Sequence, residues 1–142
     1  MIDRSMRFRR AMAVAAAVAG AVIDVGYLWL IADQATGVDA RVVFVSGYIG
    51  LAAVFALVGA ITIDRHDRLA QAALLGSASG FVGVGVISLF SIGMALLVAG
   101  IVAAIAVDPR RIGASVAVGV IVGMLAILAV GLAATFAVVR AV

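Results

Sequence analysis

The sequence predicts an all-α integral membrane protein. The expected form is a five-span helical bundle with its N-terminus inside and its C-terminus outside, and a four-span bundle is the alternative. Three observations lead there. The chain has 142 residues, of which 67% are hydrophobic and only 12% charged, whereas a soluble domain carries about 25% charged residues. The apolar residues form long uniform runs, not the alternating segments of about ten residues that mark a membrane β-barrel. Arginines sit just outside those runs, where positive charge meets the membrane surface.

The elements follow in order as a single transmembrane domain, with spans at about 11–32, 42–63, 69–88, 89–107 and 112–139. Met1–Arg10 is a basic head bearing Arg4, Arg7, Arg9 and Arg10, and Ala11–Ala32 is the first apolar run. Small residues such as Ala17, Ala19 and Ala21 would suit a signal cleavage site. A signal core is only about 7–15 residues long, however, so the run reads as a retained span. Asp33–Arg41 is a polar connection in which Gly37 gives turn freedom and Asp39 is placed to cap the next helix. After the second span comes the densest charge cluster, Asp64-Arg65-His66-Asp67-Arg68. There Asp67 is placed to cap the third helix, and Asp64 and Arg68 have the spacing of an i,i+4 pair. Asp108-Pro109 reads as the N-cap and N1 of the last span.

The difficult stretch is Ala70–Val107, which is 38 residues long without a charge. One crossing needs about 20 apolar residues. Arginine asymmetry decides. With five spans, eight of the ten arginines lie inside; with four, seven do. Positive charge favours the cytoplasmic side. In the five-span arrangement Tyr27, Trp29, Phe44, Tyr48, Phe90 and Phe136 also form an outer aromatic belt. The turn then falls near Ser88–Ser91, with hydroxyls to satisfy its backbone and Gly93 for flexibility. This run is expected to be the packing centre.

Few residues suggest chemistry. Asp24 lies inside the first apolar run, where a carboxylate costs about 3 kcal/mol on insertion scales. It is a candidate intramembrane polar site together with Ser79; the competing reading is an outer-half acid that reaches water or bonds to Tyr27. Ser77, Ser88 and Ser91 would complete a polar path. Gly76, Gly80 and Gly83, and separately Gly119 and Gly123, have small-residue spacings that let helices approach closely. Arg7, Arg9, Arg10, Arg65, Arg68, Arg110 and Arg111 fall at the inner surface, where they would meet anionic lipid headgroups.

Other classes are disfavoured. The chain has no cysteine and no lysine, so thiolate metal sites, disulfides and a retinal Schiff base are excluded. Its one histidine, His66, supplies too few ligands for a metal site. Gly83-Val84-Gly85 lacks the lysine and the strand–turn–helix setting of a phosphate loop. No basic face with stacking aromatics is present, so nucleic acid is not expected as a partner. No catalytic constellation and no cofactor are expected. The basic residues are all arginine and the acids all aspartate; we read this as coding bias of a GC-rich prokaryotic genome, and hence expect the plasma membrane of such a cell. The expected role is a structural component or accessory subunit of a membrane assembly, a role that would look the same in a viral envelope. Its partners are the bilayer, copies of itself or other membrane subunits. The alternative is a small oligomeric transporter or channel using Asp24.

Overall fold

The structure is a computed structural model and describes residues 2–34, 39–88 and 92–141. It contains five α-helices: α1 (Ile2–Asp33), α2 (Ala40–Thr62), α3 (Asp67–Ile87), α4 (Gly93–Ala106) and α5 (Ala114–Ala141). Among the described residues there is no strand. The helices α1, α2, α3 and α5 are each long and apolar enough to cross a membrane. Even the shortest of them, α3 with 21 residues, is about 32 Å long, against a hydrocarbon core of about 30 Å. The protein is a multi-pass α-helical membrane protein.

Polar bonds between helices fix their directions. Arg9, early in α1, reaches Ala106 at the end of α4. Arg10 reaches Ala60 and Asp64 at the end of α2. The backbone N–H of Asp108, just past α4, donates to Gln71 near the start of α3. At the opposite end, Arg41 at the start of α2 lies over the ring of Phe136, late in α5, 5.9 Å from its centroid. The helices therefore alternate in direction, and the start of α1 and the end of α5 lie at opposite ends of the bundle.

α3 is the packing centre. In its apolar stretch 61% is buried, against 11% for α5. Phe81, Val84 and Gly85 on α3 are buried beside Leu96 and Ala99 of α4, Ile49 and Ala52 of α2, and Met124 and Leu128 of α5. The buried residues of a second seam are alanines, Ala16 and Ala17 of α1, Ala56 of α2, Ala78 of α3 and Ala103 of α4, with Val102 packed against them. Small side chains let these backbones approach closely, which matters where water supplies no drive for helix association.

The long apolar run is two helices, but the second is shorter than expected. α4 has 14 residues, about 21 Å, where the sequence suggested a helix over 89–107. Gly93 stands at its start. A side chain there would strike the backbone of Gly85 and Ser88, and its N–H donates to the Ser88 carbonyl at 2.9 Å. Gly93 thus permits the close approach of α4 to the end of α3, whereas flexibility was expected of it. The proposed turn residues Ser91 and Phe90, and the turn glycine Gly37, lie outside the described residues.

Several local expectations need correction. The basic head is not a separate segment, because α1 starts at Ile2; arginine is a good helix former and two of these arginines are anchored to other helices. Asp67 is not the cap of α3. His66 holds that position without a side-chain bond, and Asp67 begins the helix and accepts from Gln71 Nε2 at 3.4 Å. Asp64 precedes the helix and pairs with Arg10, not with Arg68. Asp108-Pro109 caps a 3-10 turn, Pro109–Arg111, through an Arg110 N–H to Asp108 Oδ1 bond of 3.1 Å; α5 starts later, at Ala114. Asp39 does cap α2, with its Oδ1 accepting from the Ala40 N–H at 2.8 Å.

Candidate functional site

The charged residues gather at the end of the bundle where α1 starts. Arg9 is buried there, with its Nε–H donating to the Ala106 carbonyl at 2.9 Å and its Nη1 3.8 Å from Asp108 Oδ2. Arg10 donates through Nε to the Ala60 carbonyl at 3.3 Å and pairs with Asp64. Arg9 is thus engaged within the bundle, and Arg10 is shared between a helix end and Asp64. Both reach carbonyls in the last turns of neighbouring helices, groups that have no intrahelical donor. Arg7, Arg65, Arg68 and Arg110 are exposed at the same end. Arg111 lies in the 3-10 turn beside them.

Sequence reading missed Gln71. It is 1% exposed, and its amide links Asp67 to the Asp108 N–H, joining the start of α3 to the chain leaving α4. A lone amide just inside an otherwise apolar run was the available signal, since a buried amide must find partners.

Asp24 sits on α1, half-buried, with Oδ2 directed at the α2 backbone: a Cβ built on Gly50 would lie 3.9 Å away. Its Oδ1 is buried and has no hydrogen-bond partner among the described residues. Tyr27 follows one turn along the same face. Ser79 does not share this site. Its hydroxyl donates to the Gly76 carbonyl at 3.1 Å. Ser77 is fully buried, and its Oγ has no partner among the described residues. Two residues apart on one helix, Ser77 and Ser79 point to different faces and do not line one path. His66 is exposed, and among the described residues no three acids or histidines converge on a point that could hold a metal ion.

The belt residues also divide. Trp29 and Phe136 are 69% and 58% exposed, but Tyr48 is 4% exposed. Its hydroxyl donates to the Met124 carbonyl at 2.9 Å, tying α2 to α5. Tyr48 stands two turns inside α2 on its buried face, so it belongs to the core and not to the belt.

The glycines separate in the same way. A Cβ on Gly76 would meet Phe55 at 3.0 Å, one on Gly80 would meet Met124 at 2.8 Å, and one on Gly83 would meet Leu128 at 3.3 Å. These three let α2 and α5 approach α3. Gly119 and Gly123 on α5 meet nothing within 4 Å. Among the described residues no helix packs against these two positions, which form an open small-residue face. Between α3, α4 and α5 lies an apolar cleft of about 590 Å³, floored by Ser79, Val82 and Gly83 and walled by Gly100, Ile101 and Leu125.

No protein-family model, no curated protein and no solved structure matches this chain.

Proposed function

We propose that this protein is a non-catalytic subunit of a membrane assembly, seated in the plasma membrane of a prokaryotic cell. In this reading four full spans and the short α4 make five passes with the arginine-rich end in the cytoplasm, and α5 docks on a membrane-spanning helix of a partner subunit. The observation that carries this reading is the open face of α5. Gly119 and Gly123 are four residues apart on a long apolar helix, and among the described residues a Cβ built on either would meet nothing within 4 Å. That spacing lets a second helix backbone approach closely, and packing of this kind is the main drive for association in lipid. The polar groups point the same way. Arg9, Arg10, Gln71 and Tyr48 are each bonded to the ends or backbones of neighbouring helices, which suits a scaffold and leaves few groups free for chemistry.

The test is purification in mild detergent of the tagged protein and of a Gly119→Leu/Gly123→Leu variant. The reading expects one membrane partner at fixed stoichiometry with the native protein and its loss from the variant, while the variant's own melting temperature is unchanged. Equal recovery of that partner with both forms would rule the reading out.

One observation favours a second reading, an ion-conducting or proton-coupled oligomer. The Asp24 Oδ1 is buried in the membrane region without a partner among the described residues, and intramembrane acids are often ion-handling groups. Flux in proteoliposomes that disappears in Asp24→Asn would support it.

A further inference from the structure

We infer that Asp24 binds a monovalent metal cation in the space beside Gly50, with Tyr27 and Ser46 as its hydroxyl ligands. α1 and α2 meet antiparallel along one seam. Ala13 packs with Ala60, and Ala16 and Ala17 pack with Ala56. A Cβ built on Gly20 would meet Ala53 at 3.1 Å. The next pair is Asp24 and Gly50, with Asp24 Oδ2 3.9 Å from the place of a Gly50 Cβ. Each step up α1 is thus matched by an equal step back along α2. One turn further, the same register sets Tyr27 opposite Ser46, and both are half-buried. Tyr27 follows Asp24 by three residues and Ser46 precedes Gly50 by four, so each stays on the seam. The seam changes character along its length. It is alanine and glycine toward the arginine-rich end, and an acid with two hydroxyls beyond Gly20.

Among the described residues the chain supplies Asp24 with no counter-charge. Its Oδ1 is buried and bonded to none of them. Arg10 lies about 21 Å back along α1 and pairs with Asp64. Arg41 lies about 13 Å along α2 from Gly50, with its guanidinium over the Phe136 ring. An acid left unpaired in a membrane span is costly, and a cation drawn from solvent removes that cost. One carboxylate sets the charge of the ion at one, because a divalent ion would leave a net charge in the apolar region. Carboxylate and hydroxyl oxygens are hard ligands, which suits such an ion. Gly50 provides the room. The one atom within 4 Å of the place where its side chain would stand is Asp24 Oδ2. The inference rests on neither reading above, since an ion held here neutralises Asp24 whether or not it moves.

The experiment is thermal unfolding of the purified full chain in detergent, at equal ionic strength in the chlorides of choline, sodium, potassium and calcium. A ligand that binds the folded state raises its melting temperature. The native protein is expected to melt several degrees higher in sodium or potassium than in choline. Asp24→Asn is expected to abolish that difference. Gly50→Ala is the second variant, which keeps the carboxylate and fills the place of the ion. Its methyl meets nothing nearer than Asp24 Oδ2 at 3.9 Å, so the fold is retained, and the difference is again expected to vanish. Tyr27→Phe and Ser46→Ala are each expected to raise severalfold the salt concentration that gives half the shift. Equal melting in every salt overturns the proposal. So does a difference that survives Asp24→Asn or Gly50→Ala, or a shift given by calcium and by neither alkali ion.

Discussion

Arg9 and Ala106 lie 97 residues apart, and the Arg9 Nε–H donates to the Ala106 carbonyl oxygen at 2.9 Å. The next residue does the same for another helix: Arg10 Nε donates to the Ala60 carbonyl at 3.3 Å. Two consecutive arginines on α1 thus cap the C-terminal ends of α4 and α2. Each supplies a donor to a carbonyl with no partner in its own helix, and each places a positive charge at the negative end of a helix dipole. The side chain of Arg9 is 11% exposed and that of Arg10 is 47% exposed, so the two bonds differ in worth.

Arg9→Gln is expected to lower stability by about 1.5–3 kcal/mol, the range for a buried hydrogen bond from a charged group. Arg10→Gln is expected to cost under about 1 kcal/mol, as for an exposed ion pair. Denaturant unfolding in detergent, followed by helical circular dichroism, checks both. Equal losses in the two variants would contradict the assignment of Arg9 as the structural cap.

The class of the protein was legible because composition alone excludes a water-soluble surface, and helix directions followed from where the arginines fall. Which face a residue takes was not legible. Arg9 and Arg7 read alike in sequence, yet one is buried and the other exposed. Tyr48 and Phe136 were both assigned to the aromatic belt, yet only Phe136 lies on the outside. Gly76 and Gly80 have the same spacing as Gly119 and Gly123, and the first pair is filled while the second is open. A span hydrophobic all round carries no amphipathic stripe to orient it, so its rotation is set by neighbours that a linear reading does not place. The candidate site was affected most. Asp24 stood out by its charge, but Gln71 and the cleft beside Ser79 depend on contacts between distant segments.

Gly93→Ala is expected to be strongly destabilising, by about 1–3 kcal/mol or more, because the added methyl meets backbone of Gly85 and Ser88, which cannot rotate away. Gly123→Ala is expected to leave the monomer's stability level or to raise it by up to about 1 kcal/mol, since among the described residues a Cβ there meets nothing within 4 Å and alanine is the better helix former. Thermal unfolding of the two variants in one detergent compares them directly; equal shifts would contradict the packing described at Gly93.

Tyr48→Phe removes the hydroxyl bond to the Met124 carbonyl and is expected to cost about 0.5–1.5 kcal/mol. Because that bond ties α5 to α2, hydrogen exchange should rise in α5 more than in α3. Unchanged exchange in α5 would show that Tyr48 does not hold it.

Asp24→Asn replaces a half-buried carboxylate whose Oδ1 has no partner among the described residues. Under the subunit reading, partner recovery is unchanged and stability in choline chloride stays level or rises, since a charge in an apolar setting is removed. A fall in stability would mean that the carboxylate is satisfied by a neighbour in the assembly.

The central claim is that α5 meets a partner helix through its open glycine face. Site-specific photocrosslinking in intact membranes tests it most directly, with the photoreactive residue at Gly123 and, as a control, at the exposed Val14 of α1. The account expects one discrete protein adduct from Gly123 and none from Val14. Adducts to lipid alone at Gly123, or the same protein adduct from both positions, would contradict it.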